Sequence, residues 1–218
     1  MKVKICGITS LSDALEAIDA GADWLGFNFY PPSPRYIHPL ACARLVTGIQ
    51  ERGYSATLAG VFVNHDVNAI TTILNDCGLD IAQLSGDEPP EMLVALGERA
   101  FKGIRPAGHA DLADFHNRYP RRQSPPACLI DGYRPGQYGG TGENADWRLA
   151  HRLAERSPVI LAGGLNPGNV IAAIQQVQPW GVDVASGVEA APGVKDPQKM
   201  VAFVKMVRKY TLEYLYDY

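Results

Sequence analysis

The sequence is short of several things, and each shortage closes off a class of function. It has no block of basic residues: 20 Lys and Arg stand against 23 Asp and Glu, for a net charge of −3. A chain without a basic footprint offers nucleic-acid phosphates little purchase. No apolar run nears the ~20 residues that cross a bilayer, so no membrane partner is expected. Met1-Lys2-Val3-Lys4-Ile5 leads directly into a β-rich segment, not into an apolar leader, as expected of a cytoplasmic protein. Cysteine is scarce: Cys6, Cys42, Cys77 and Cys128 are scattered without Cys-x-x-Cys spacing. They read as reduced thiols, not as a disulfide framework. The histidines (His38, His65, His109, His116, His151) fall in expected loops and helices and share no metal-ligand spacing, so no metal is assigned. No Gly-x-Gly-x-x-Gly follows the first strand, which argues against an open dinucleotide-binding sheet. No linker or low-complexity stretch divides the 218 residues. They are read as one domain over 1–218, with 197–218 its C-terminal helix and tail.

What the chain does have is alternation. Apolar β-rich runs are expected at Lys2–Ile8, Trp24–Tyr30, Ala56–Val63, Ile81–Leu84, Phe101–Ile104, Ala127–Asp131, Val159–Ala162 and Val182–Ala185. Between them lie helical patterns: Ala14, Leu15, Ala17 and Ile18 before Gly21; Pro39 to Ile49 before Gly53; Val67 to Leu74 before Gly78. Further ones are Met92 to Leu96, a weak one at Leu112 to Phe115, then Trp147 to Ala154, Val170 to Val177, and a last helix opened by Pro197. Several strand runs are continuously apolar, as parallel strands covered on both faces should be. Eight strands alternating with eight helical patterns predict an α/β fold, a closed (β/α)8 barrel.

On such a barrel the chemistry sits at the C-terminal ends of the strands. Those ends carry Cys6, Asn28, Asn64, Gln83, Ser85, Arg105, Asp131, Gly163 and Ser186. After the seventh and eighth strands come Gly163-Gly164 and Ser186-Gly187. Small residues let backbone N–H groups approach an anion, and these loops are where a barrel often holds phosphate. A small-molecule phosphorylated substrate is the expected partner. Cys6 and Asp131 are the two strand-end groups able to exchange protons near neutral pH. An electropositive site would lower the Cys6 thiol and make it a base. Partial desolvation would raise Asp131 and make it an acid. Arg35, in Pro32-Ser33-Pro34-Arg35-Tyr36, could meet a carboxylate from a proline-stiffened loop. The acidic pair Asp87-Glu88 reads as charge at the start of the fourth helix. Gly139-Gly140-Thr141-Gly142 reads as a lid or a wall close to ligand. The tryptophans read as core or barrel-edge residues.

Several segments together resemble one family, phosphoribosylanthranilate isomerase of tryptophan biosynthesis. They are Lys4-Ile5-Cys6-Gly7-Ile8-Thr9; Gly21 to Tyr30 running on to Ser33-Pro34-Arg35-Tyr36; Gly60 to Asn64; Gln83 to Glu88; Gly139 to Gly142; Leu161 to Pro167; and Gly187-Val188-Glu189 with Pro192 to Asp196. The resemblance implies a (β/α)8 barrel that converts N-(5-phosphoribosyl)anthranilate to 1-(2-carboxyphenylamino)-1-deoxyribulose 5-phosphate. It implies Cys6 as general base and Asp131 as general acid. It also implies Arg35 at the anthranilate, and phosphate held at Gly163, Gly164, Ser186 and Gly187. One acid and one base suffice for that rearrangement, so no cofactor is implied. The resemblance covers both monomers and homodimers. Two departures stand out: Ser85 where the family often has histidine, and Gly132 directly after Asp131. The Tyr-rich stretch from Tyr210 to Tyr218 is expected to extend the last helix or to pad an oligomer contact.

Two other readings share the scaffold. One is the aminoaldose isomerase of histidine biosynthesis, or a bifunctional version. That family carries an aspartate at the end of strand 1, where this chain has Cys6, and a second phosphate site near strands 3 and 4. The ends of those strands read Val63-Asn64-His65 and Leu84-Ser85-Gly86 here, without a Gly-Gly pair. The other is a non-catalytic barrel that only binds a phosphosugar.

Overall fold

The computed structural model describes residues 1–106, 108, 115, 117–132 and 146–215. The first half alternates β1 (Lys2–Cys6), α1 (Leu11–Asp19), β2 (Trp24–Asn28), α2 (Pro39–Glu51), β3 (Thr57–Phe62), α3 (Val67–Asp76), β4 (Ile81–Leu84) and α4 (Pro90–Leu96). A 3₁₀ turn, Gly97–Arg99, leads to β5 (Ala100–Ile104) and then β6 (Cys128–Ile130). The second half adds α5 (Trp147–Ala154), β7 (Val159–Leu161), α6 (Val170–Val177) and β8 (Gly181–Val184). A 3₁₀ turn at Ser186–Val188, a hairpin of β9 (Glu189–Ala191) and β10 (Val194–Lys195), and α7 (Pro197–Leu215) complete the described chain. Strands β1 to β8 close into a barrel in sequence order. Each pair is parallel, including the closing pair of β1 and β8.

Local chemistry explains the element boundaries. Ser10 accepts a hydrogen bond from the Asp13 N–H at the start of α1, and Asp66 accepts from the Ala69 N–H at the start of α3. Asp146 caps α5 in the same way. Gly21, Gly53 and Gly78 follow the ends of the first three helices, as expected. The expected helix over Leu112 to Phe115 lies outside the described residues except for Phe115. The last helix reaches Leu215 and so takes in the start of the Tyr-rich stretch.

The strands alternate in and out, with a period of two. Val3, Ile5, Leu25, Phe27, Leu58 and Phe62 face the helices in the main core. Trp24, Ala59, Ile81, Phe101, Leu129, Ile160 and Ala162 pack together inside the barrel, with Trp180 against them. Trp24 meets Phe101 and Trp180 edge-on at 6.1 and 6.0 Å between ring centroids. This inner plug leaves the C-terminal mouth to polar residues.

Three local expectations are corrected. Strand β1 stops at Cys6, not Ile8, because Gly7 turns away with φ of +78°. Strand β2 stops at Asn28, whose Oδ1 accepts from the Tyr30 N–H and so starts the following turn. Glu88 is not a helix-end charge. It is buried, its Oε1 accepts from the N–H groups of Asn64 and Gly86, and its Oε2 pairs with Lys102 Nζ at 2.6 Å. The hairpin of β9 and β10 was not anticipated from the sequence.

Candidate active site

The strand-end residues sort into three groups. Asn28 and Asn64 are structural. Asn28 Nδ2 donates to Ser33 Oγ, and Asn64 Oδ1 accepts from the Asp87 N–H, so each pins a loop at the rim. Gln83, Ser85 and Arg105 form one wall. Gln83 Nε2 donates to Ser85 Oγ at 3.0 Å, and Arg105 Nη1 donates to the Ser85 carbonyl at 2.6 Å. Gln83 is buried, and its Oε1 has no hydrogen-bond partner among the described residues, which makes it available to a donor on a ligand. The third group is Cys6, Arg35 and Asp131 with the loops after β7 and β8.

Cys6 is the last residue of β1 and is paired in register with Gly26 of β2. A side chain at Gly26 would come within 2.7 Å of Cys6 Sγ, so this glycine makes the space the thiol occupies. Burial works against the lowering that an electropositive site would bring. Burial pushes Cys6 above the ordinary thiol range; Lys4 and Lys195 pull it down and Asp183 pushes it further up. Desolvation disfavours the charged form, and here it outweighs the nearby cations.

Lys4 and Asp183 are residues the sequence reading missed. They are direct register partners on β1 and β8, both buried, with Lys4 Nζ 2.8 Å from Asp183 Oδ1. Their signal was a charged residue in the middle of an apolar strand, in Val3-Lys4-Ile5 and Val182-Asp183-Val184. Burial works against the Lys4 ammonium, but Asp183 and Cys6 outweigh it and hold it charged.

Asp131 follows β6, which is separated from β1 by β7 and β8 around the barrel. Its N–H donates to the Ile104 carbonyl, and its Oδ1 accepts from the Gly132 N–H at 2.7 Å. Burial pushes its carboxyl up to about 6, against the Gly132 hydrogen bond and the cations Arg105 and Lys4, while Asp183 pushes it further up. Lys4 and Asp183 thus act on both Cys6 and Asp131, which places the two groups around one buried ion pair.

Arg35 is buried, not solvated. Its Nε and Nη2 donate to the two carboxylate oxygens of Glu189 at 2.7 and 2.8 Å, and Lys195 Nζ donates to Glu189 Oε1 at 2.9 Å. Nη1 has no hydrogen-bond partner among the described residues. The Arg35 stem lies against Gly7, where a Cβ would come within 2.6 Å of Arg35 Cδ. The hairpin of β9 and β10 therefore serves as a strut. It supplies Glu189 and Lys195, and its turn at Gly193 accepts from Thr9 Oγ1.

The glycine loops stand at the same mouth. Gly163 and Gly164 both take positive φ, +87° and +62°. Asn169 Nδ2 and Asn166 Nδ2 donate to the Gly164 carbonyl, which turns the peptide so that its carbonyl is held inside the loop. A Cβ on Gly187 would come within 1.9 Å of the Leu165 carbonyl oxygen, so the two loops are in van der Waals contact there. The N–H groups of Gly163, Gly164, Ser186 and Gly187 have no acceptor among the described residues. Free N–H groups clustered at loop and turn starts make an anion site. The expected lid at Gly139 to Gly142 lies outside the described residues, as do His109 and His116. Among the described residues no cluster of three metal-ligating side chains forms. No helix among them is long and apolar enough to cross a membrane.

Comparison with known proteins bears on this arrangement. Residues 3–206 match the family described as N-(5'phosphoribosyl)anthranilate (PRA) isomerase. N-(5'-phosphoribosyl)anthranilate isomerase of Magnetococcus marinus is 49% identical over 212 residues, 96% of each chain. Its namesake from Syntrophus aciditrophicus is 45% identical over 96% of this chain and 88% of its own. Among solved structures, phosphoribosyl anthranilate isomerase of Thermotoga maritima superposes with a TM-score of 0.83 at 36% identity, covering 96% of this chain and 99% of that one. A further structure, at TM-score 0.80 and 35% identity over 96% of this chain and 99% of that one, is an isomerase of that name in complex with reduced 1-(o-carboxyphenylamino)-1-deoxyribulose 5-phosphate.

Proposed function

The chain belongs to the N-(5'-phosphoribosyl)anthranilate isomerase family, and we propose that it carries out the family's reaction with Cys6 as general base and Asp131 as general acid. It is an isomerase of tryptophan biosynthesis that rearranges N-(5'-phosphoribosyl)anthranilate to 1-(2-carboxyphenylamino)-1-deoxyribulose 5-phosphate. Asp131 donates its proton to the furanose ring oxygen, and the ring opens to a Schiff base. The Cys6 thiolate then removes the proton from C2. The resulting enolamine tautomerises to the ketone.

The phosphate of the substrate is held by the N–H groups of Gly163, Gly164, Ser186 and Gly187. Arg35, anchored by Glu189, offers Nη1 to the anthranilate carboxylate. These contacts fix the C1–C2 unit between the base and the acid, and orientation of this kind carries a large share of such a rate enhancement. The chain acts as a monomer or a homodimer.

The observation that carries the assignment is the state of Asp131. A carboxyl pushed up to about 6 at a strand end retains a proton to donate near neutral pH. Cys6→Ala and Asp131→Asn should each lower kcat by orders of magnitude with binding of the reduced product analogue largely kept. Near-normal turnover in either variant rejects that residue's role. Complementation separates the substrate classes. Growth of a tryptophan auxotroph lacking this isomerase, without growth of the matching histidine auxotroph, is the expected result.

A further inference from the structure

A lysine and an aspartate facing each other inside a packed barrel need a reason. A buried ion pair costs desolvation on both sides and is often no more stabilising than apolar residues of the same shape. Here the pair is fully internal, with Lys4 2% and Asp183 8% exposed. Lys4 is in register with Trp24 of the inner apolar plug. Lys4 is two residues before Cys6 on the same strand, so both side chains point into the barrel. The Lys4 ammonium has three N–H donors. One goes to Asp183 at 2.8 Å, and of the charged groups that act on the Cys6 thiol Lys4 pulls it down most.

We infer that Lys4 is the positioning residue for the base: its ammonium, oriented by Asp183, hydrogen-bonds Cys6 Sγ and stabilises the thiolate that removes the C2 proton. This rests on the reading of Cys6 as base. The groups around Cys6 are Lys4 on its own strand, Asp183 from β8, Lys195 from β10 and Arg35 from the loop after β2. Arg35 and Lys195 are already engaged by Glu189. Lys4 is therefore the cation whose charge is directed at the thiol by a second residue. Burial raises the thiol and Lys4 offers the largest single opposition to it. Without Lys4 the thiolate would face the Asp183 carboxylate with only Lys195 and Arg35, both already paired to Glu189, to offset it.

The test is titration of the Cys6 thiolate by its ultraviolet absorbance in the full-length protein, with the Cys6→Ser protein as blank to remove Cys42, Cys77 and Cys128. Lys4→Met should move the midpoint up by about one pH unit or more, and kcat/KM on the neutral plateau should fall about tenfold per unit. Lys4→Arg keeps the charge and should move it less. A role confined to packing would lower the rate without moving the titration. Lys4→Gln supplies a second neutral variant, which keeps the test open if Lys4→Met does not fold, and it should raise the midpoint in the same way. An unmoved midpoint in whichever of the two folds overturns the inference. The two readings fail separately. If Cys6→Ala retains turnover, Cys6 is not the base, whatever its titration does. If Cys6→Ala is inactive but Lys4→Met titrates like the parent, only the role of Lys4 is lost.

Discussion

A carboxyl held up near 6 is a liability to the fold as well as a tool. The folded state of Asp131 binds its proton more tightly than the unfolded chain does, since the carboxyl rises from 3.8 to about 6. Stability therefore falls as pH rises through the window between those two values, because the unfolded state ionises first. Asp131→Asn removes that cost and keeps an acceptor for the Gly132 N–H. The variant should be more stable than the parent by about 2 kcal/mol at neutral pH, kept below the full ~3 kcal/mol by partial exposure at the mouth. The gain should shrink to nothing near pH 4, about the value of an unfolded aspartate. Denaturant melts at the two pH values measure it. Arg35 makes a different demand. Arg35→Ala leaves Glu189 buried with Lys195 alone. It should cost roughly 2 kcal/mol, less than the ~3–5 kcal/mol of stripping a buried pair entirely, because Lys195 stays. It should also raise KM more than it lowers kcat. Equilibrium unfolding and steady-state kinetics on the same preparation separate the two effects.

At the scale of elements, the site is a set of loops braced against one another. Gly187 presses on the loop after β7, and Gly7 lies under the Arg35 stem. Gly187→Ala puts a methyl group where the Leu165 carbonyl already is, so the loops after β7 and β8, the proposed phosphate site, must part. Substrate KM should rise at least tenfold, and inhibition by inorganic phosphate should weaken in parallel; unchanged KM would mean that the contact is not part of the anion site.

The eight strands were legible because each is an apolar run closed by turn residues, and the order of the barrel follows from parallel alternation. The pairs of small residues after β7 and β8 were legible as loops for the same reason. The hairpin was not. Glu189-Ala190-Ala191 and Val194-Lys195 are too short and too polar to read as strands, although Pro192-Gly193 between them is a turn signal. Lys4, Asp183, Glu189 and Lys195 were missed because a charge within an apolar run is ambiguous until register is known. It is the pairing of Lys4 with Asp183 across β1 and β8 that turns two odd residues into one ion pair. The direction of the Cys6 shift was not legible, because a count of nearby cations says nothing about burial.

For the whole molecule, the proposed acid and base are tuned in opposite senses from the usual order. Asp131 sits at about 6, and Cys6 lies above the ordinary thiol range. The form the proposed mechanism needs, with Asp131 protonated and Cys6 ionised, is then the minor partner of the form in which the single proton lies on Cys6. Both forms carry the same number of protons, so their ratio does not change with pH. Activity follows their sum, and the two limbs of the profile belong to the pair. The most direct measurement of this account is kcat/KM against pH for the parent, Asp131→Asn and Cys6→Ala proteins. The parent should show a plateau bounded by an acidic limb near 6 and an alkaline limb above the ordinary thiol value of about 8.5. The residual rate of Asp131→Asn should lose the limb near 6 and rise with pH as the thiol ionises, and that of Cys6→Ala should lose the alkaline limb and fall with pH as Asp131 ionises. A parent profile flat through pH 6, or variants that keep both limbs at near-parental rates, would contradict the assignment of acid and base.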